Sequence, residues 1–137
     1  MATRYFADTF YFIALLCPRD HAHEKALRLG KTLSGGLVTT DAVLLELADS
    51  LCSPDDRGQS ADYVRALWRD PAVSVRRVDR ELIQRGLELY EDREDKEWGL
   101  TDCISFVVMK EEGISEALTG DYHFMQAGFT ALFLGER

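Results

Sequence analysis

Five short apolar runs punctuate this chain: Tyr5-Phe6-Ala7, Leu37-Val38-Thr39-Thr40, Ala72-Val73-Ser74-Val75, Ala117-Leu118-Thr119 and Thr130 to Leu134. Between them lie segments whose apolar residues recur at helical spacing. Runs this short and this uniformly apolar belong inside a sheet covered on both faces, which requires parallel strands joined by helices. The pattern predicts an α/β fold of three layers, with a central parallel sheet of about five strands flanked by helices. At 137 residues the chain has the size of one domain, and residues 1–137 are read as one.

The helices follow from stripes and punctuation. Thr9 to Cys17 is too apolar to lie exposed, and Pro18 stops it. Asp20 is expected to cap a helix with Ala22, Ala26, Leu29 and Leu33 on one side and Lys25, Arg28 and Lys31 on the other. Asp41 to Leu51 turns Val43, Leu44, Leu47, Ala48 and Leu51 inward, leaving Glu46 off the stripe. Ser53-Pro54-Asp55-Asp56 is a helix start, predicted to run to about Arg69. Asp79 caps a helix bearing Leu82, Ile83, Gly86, Leu87 and Tyr90. Leu100 to Glu112 has almost no polar face and ends at Gly113, and Asp121 to Ala127 forms a short helical turn.

Composition narrows the function classes. The longest apolar run, Phe10 to Cys17, is far too short to span a bilayer, and residues 1–5 lack the pattern of an export signal. A cytoplasmic protein with no membrane partner is expected. Cys17, Cys52 and Cys103 are odd in number and widely separated, which predicts buried free thiols. A net charge of −8 argues against phosphate-backbone binding through Lys and Arg. Clustered acids that hold divalent cations would supply the local positive charge instead.

Ligands in open α/β sheets bind outside the carboxyl ends of the strands. Asp8 and Asp121 stand at such ends, Glu46 lies in the helix after Thr40, and Asp102 opens the apolar helix, where a carboxylate is costly without a partner. Singly, each has a plain reading as a cap, a turn acid or a solvated residue. Together they form a set that one crevice can receive, and clustered carboxylates repel unless protonated or bridged by cations. Oxygen donors favour Mg²⁺ or Mn²⁺ over zinc, and such ions suit phosphodiester hydrolysis.

The blocks Asp8-Thr9, Thr39-Thr40-Asp41-Ala42-Val43-Leu44-Leu45-Glu46, Trp98-Gly99-Leu100-Thr101-Asp102-Cys103-Ile104-Ser105-Phe106 and Thr119-Gly120-Asp121-Tyr122-His123-Phe124, in this order and spacing, resemble the PIN-domain nucleases, particularly VapC-type toxins of toxin–antitoxin pairs. The likeness covers nearly the whole chain. It implies a PIN-like fold, Mg²⁺- or Mn²⁺-dependent endoribonuclease activity, a homodimer, and a cognate antitoxin. It also implies that Asp8, Glu46, Asp102 and Asp121 are the catalytic and metal-binding acids, holding one or two cations that bind the scissile phosphate and activate a water. Thr9, Ser105, Thr119 and His123 are candidate contacts to those carboxylates or to substrate. Some relatives carry a further acid where this chain has Tyr122 and His123.

Several alternatives stand beside this one. A phosphate-receiver domain would show an acid pair beside Tyr5 and Phe6, and a haloacid-dehalogenase-type phosphatase would need an acid at Phe10. A PIN-like module that binds RNA or protein without cutting is the alternative outside enzymes, and an RNA-processing nuclease is the alternative to a toxin. Homodimerisation is expected from the large apolar residues Phe10, Tyr11, Phe12 and Trp68, with core burial as the competing account.

Overall fold

A computed structural model describes residues 3–134; Met1 and Ala2, the first two residues read for an export signal, lie outside the described residues. The strands are β1 (Tyr5–Ala7), β2 (Leu37–Thr40), β3 (Val73–Arg76), β4 (Glu116–Leu118) and β5 (Thr130–Ala131). The helices are α1 (Thr9–Leu16), α2 (His23–Thr32), α3 (Asp41–Ser50), α4 (Arg57–Arg69), α5 (Arg80–Asp92), α6 (Leu100–Glu112) and α7 (Tyr122–Gln126). The five strands are all parallel, in the order β3-β2-β1-β4-β5. The expected α/β architecture is therefore present, a parallel sheet flanked by helices.

This order fixes where a site can form. The chain winds outward from β1 through β2 to β3, then crosses back to place β4 on the other side of β1. Connections diverge between β1 and β4, which opens a crevice at their carboxyl ends. Asp8 follows β1 and Thr119-Gly120-Asp121 follows β4, so the reversal sets both beside that crevice.

One apolar cluster holds the layers together. Phe6, Val38, Ala117 and Leu118 are fully buried in the sheet, packed with Phe12 of α1, Leu44 and Leu47 of α3, and Cys103, Phe106, Val108 and Met109 of α6. Helix α6 is buried along most of its length, as its composition required, and Gly113 ends it in the left-handed conformation at φ 68°. Helices α5 and α6 approach closely because residue 86 is glycine: a Cβ there would lie 2.7 Å from Cγ1 of Ile104.

Several boundaries, among them those of β3, β4 and the end of α1, shift by a single residue from the sequence reading, and other departures have a local reason. Helix α4 begins at Arg57 and not at Ser53, because the Ser53 hydroxyl donates to Asp56 Oδ2 at 2.9 Å while the N–H groups of Asp56 and Arg57 turn back to the Ser53 carbonyl. Asp20 accepts from the N–H of Ala22 at 2.9 Å, a turn that precedes α2 without capping it. Strand β5 stops at Ala131, since the N–H of Leu134 folds back to the Ala131 carbonyl and Phe133 packs 5.1 Å from the ring of Phe10.

The cysteines and aromatics also sort differently from expectation. Only Cys103 is buried; Cys17 is half-buried and Cys52 exposed, and all three thiols are free. Tyr11 and Phe12 belong to the core, and Phe10 packs against it, so of the four residues expected to supply an apolar surface only Trp68 is exposed. No helix among the described residues is long and apolar enough to cross a membrane.

Candidate active site and metal centre

Asp8 occupies the N-cap position of α1, yet its side chain caps nothing. Its carboxylate turns to β4, where Oδ2 accepts from the Thr119 hydroxyl at 2.8 Å. The same Thr119 oxygen accepts from the N–H of Asp121 at 3.0 Å, so one buried hydroxyl joins the acid after β1 to the acid after β4. Gly120 between them leaves room for Phe10: a Cβ at this position would sit 2.7 Å from the Phe10 ring. In the sequence Gly120 reads as part of the turn before Asp121; its close approach to Phe10 is visible only in the fold.

Glu46 reaches the site from α3. It is exposed on that helix, and its Oε1 accepts from the Thr9 hydroxyl at 2.5 Å. Thr9 and Thr119 thus each hold one carboxylate. Ser105 does not: its hydroxyl is buried and donates to the Thr101 carbonyl one turn back in α6, at 3.0 Å. A serine inside a helix commonly satisfies its donor this way, and the Ser105 hydroxyl donates to no carboxylate here.

Asp102 stands at the third position of α6, where its carboxylate reaches back to the N–H of Gly99. His123, at the start of α7, donates from Nδ1 to Asp102 Oδ2 at 3.0 Å. The backbone N–H of His123 donates to Asp121 Oδ1 at 2.9 Å, so Asp121 caps the short helix that carries the imidazole. Phe124, fully buried against Phe6 and Phe106, anchors α7 to the core.

The electrostatics are those of a crowded anionic site. Burial pushes the Asp8 carboxyl up to about 7, and the charges of Asp102 and Glu46 push the same way; the Thr119 hydroxyl and the Thr9 N–H only partly oppose them. Burial also raises Asp102, with Asp121 adding to the rise and His123 working against it. The charges acting on Asp8 are other carboxylates, and the group that eases Asp102 is an imidazole. Such a set is strained while empty of positive charge, and its hard oxygen donors fit a divalent cation.

The chain matches the PIN domain family model over residues 5–130. It is 29% identical, over 127 residues covering 90% of this chain and 94% of the relative, to the 23S rRNA-specific endonuclease VapC20 of two Mycobacterium tuberculosis strains. The crystal structure of Mycobacterium tuberculosis VapC20, described as a sarcin-ricin loop cleaving toxin, superposes with a TM-score of 0.84 at 28% identity, covering 92% of this chain and 96% of that one. VapBC2 from Rickettsia felis, solved bound to a DNA fragment from its promoter, shares the fold at a TM-score of 0.66 and 12% identity, over 94% of this chain and 96% of that one. With its parallel sheet, its strand-end acids and a family match that spans nearly its whole length, the chain belongs to the PIN domain family.

Proposed function

We propose that residues 1–137 act as one nuclease domain in which Asp8, Glu46, Asp102 and Asp121 hold Mg²⁺ or Mn²⁺ for the hydrolysis of RNA phosphodiester bonds. The chain is an enzyme, a PIN-domain endoribonuclease of the VapC toxin type. The observation that carries the site assignment is the convergence of acids from four separate segments on the crevice beside β1 and β4, with Asp8 buried and its carboxyl pushed up to about 7 among the charges of Asp102 and Glu46.

A divalent cation bound there supplies positive charge to a phosphate and acidity to a coordinated water. The chain's own groups orient the ligands for it. Thr119 and Thr9 each direct a hydroxyl at one oxygen of an acid, Asp8 and Glu46 respectively. Second partners of this kind fix a ligand's geometry before the ion arrives. A cation held there would favour the deprotonated Asp8, its charge offsetting the burial and, to a lesser extent, the neighbouring carboxylates that push this carboxyl up.

The proposed partners are an RNA substrate, a cognate antitoxin and a second copy of the chain, in a reducing cytoplasm that keeps the three free thiols intact. Exposed Leu45 on α3 and Trp68 on α4 support the second copy, in place of the aromatics of α1. The named substrate of the curated relatives, 23S rRNA, is the first RNA to test. Asp102→Asn keeps the shape of the side chain and an acceptor for His123 while removing a ligand charge. It is expected to abolish cleavage with an unchanged circular-dichroism spectrum, and EDTA is expected to stop the wild type until Mn²⁺ is restored. Cleavage at the wild-type rate by the variant, or after exhaustive chelation, sinks the assignment.

A further inference from the structure

His123 stands within the acid cluster. Its side chain is 20% exposed, and Nδ1 lies 3.0 Å from Asp102 Oδ2 and 3.4 Å from Asp121 Oδ1. Donor atoms from Asp102, Asp121 and His123 all lie within 4.8 Å of one another. The hydrogen bond from Nδ1 accounts for Asp102, and the cap from the His123 backbone N–H to Asp121 Oδ1 brings the ring up to the second carboxylate, so one nitrogen faces two acids. A cation would engage the nitrogen and both carboxylates at once. With metal–nitrogen and metal–oxygen bonds of about 2.1 Å, adjacent ligand atoms stand about 3.0 Å apart in an octahedron and about 3.4 Å in a tetrahedron.

The local fold also prepares the nitrogen for this role. The backbone N–H of His123 is tied to Asp121 Oδ1, and buried Phe124 holds the turn against the core. The other two histidines are placed elsewhere: His21 is exposed beside Asp20, and His23 Nδ1 contacts the Ala14 carbonyl at 2.7 Å.

We infer that His123 is a metal ligand, so that the Asp102–Asp121–His123 side of the site is a mixed nitrogen and oxygen centre selecting Mn²⁺ over Mg²⁺. The inference rests on the reading of the acids as metal ligands. On binding, the cation takes the Nδ1 lone pair and the ring proton resides on Nε2. Imidazole suits transition ions, whereas Mg²⁺ prefers carboxylate and water, and this separates the two ions that an all-oxygen site would share.

The test is pulsed electron paramagnetic resonance on the full chain loaded with Mn²⁺. The expected spectrum carries a ¹⁴N coupling from a directly bound imidazole, converts to the ¹⁵N pattern in protein labelled with ¹⁵N-histidine, persists in His21→Asn and disappears in His123→Asn. Should His123→Asn fail to fold, the isotope replacement in the unaltered chain decides alone. Mn²⁺ that binds through Asp102 but shows no nitrogen coupling overturns the inference and leaves the acids as ligands. No Mn²⁺ binding, or binding unaffected by Asp102→Asn, overturns the metal reading and the inference together. Calorimetric titration gives a second readout: the preference for Mn²⁺ over Mg²⁺ is expected to shrink in His123→Asp, and an unchanged preference counts against nitrogen ligation.

Discussion

Asp8 concentrates the energetics of the site in one side chain. Its carboxyl titrates near 7 in the fold, against an ordinary value of 3.8, because burial and two neighbouring carboxylates oppose its charge. The unfolded chain therefore releases this proton near pH 4 and the folded chain near pH 7. In that window the unfolded state binds fewer protons, so stability falls as pH rises from 4 to 7 and levels off above. Each pH unit costs at most about 1.4 kcal/mol, and rearrangement relieves part of the total. In EDTA at pH 7.5, Asp8→Asn should be more stable than wild type by on the order of 2 kcal/mol, with a smaller gain at pH 5. With Mn²⁺ the order should reverse, because the wild type regains binding energy that the variant lacks. Thermal melts of both proteins measure this; a variant less stable than wild type in EDTA would make Asp8 a structural partner of Thr119. Asp8 was legible in the sequence as an acid at a strand end. Thr119 was legible as a candidate contact to the acids but not as the partner of Asp8 in particular, since 111 positions separate the two and no local pattern links them.

Among the elements, α6 shows what sequence spacing can and cannot convey. Its bounds at Leu100 and Glu112 and its stop at Gly113 follow from an apolar run closed by a glycine, and the structure reproduces them. The onset of α4 was misread because a side chain competed: Ser53 spends its hydroxyl on Asp56 where a cap would use it on the backbone. The Ser105 hydroxyl likewise returns to its own helix at Thr101, a competition that spacing along the chain does not convey. The seam between α5 and α6 was visible only as Gly86 within an apolar stripe, without the 2.7 Å approach that makes the glycine necessary. Gly86→Ala sets two effects against each other. Alanine favours the helix by about 1 kcal/mol, while crowding the branched Ile104 side chain close to its backbone costs about 1–3 kcal/mol. Crowding wins, and urea denaturation should show a net loss of about 1 kcal/mol. A gain in stability would mean that α6 slides to accommodate the methyl group, which would also move Asp102.

At the scale of the whole molecule, surface and charge decide the partners. Leu45 is 69% and Trp68 58% exposed, and the Trp68 indole N–H donates to Asp41 Oδ1 at 3.2 Å, which ties α4 to the start of α3. If this face joins two copies, light scattering should give twice the chain mass for wild type and a folded monomer for Leu45→Glu combined with Trp68→Glu. A wild-type monomer would dispose of the dimer.

The net charge of −8 bears on how such a molecule holds RNA. Part of its positive charge is already engaged in ion pairs: Arg4 and Arg76 pair with Glu112, Arg85 with Glu111, and Arg93 with Asp95. Breaking these pairs to meet phosphates would trade one ionic contact for another. The arrangement points to few phosphate contacts made by side chains, with the bound cation meeting the scissile phosphate. Each phosphate neutralised by Lys or Arg on a single strand adds about −0.7 to the slope of log affinity against log salt. At saturating Mn²⁺, log kcat/KM against log KCl should therefore be shallow, with a slope of about −1 to −2. A slope steeper than about −4 would assign binding to a basic surface, and Lys25, Arg28 and Lys31 on α2 would then be the residues to exchange for glutamine.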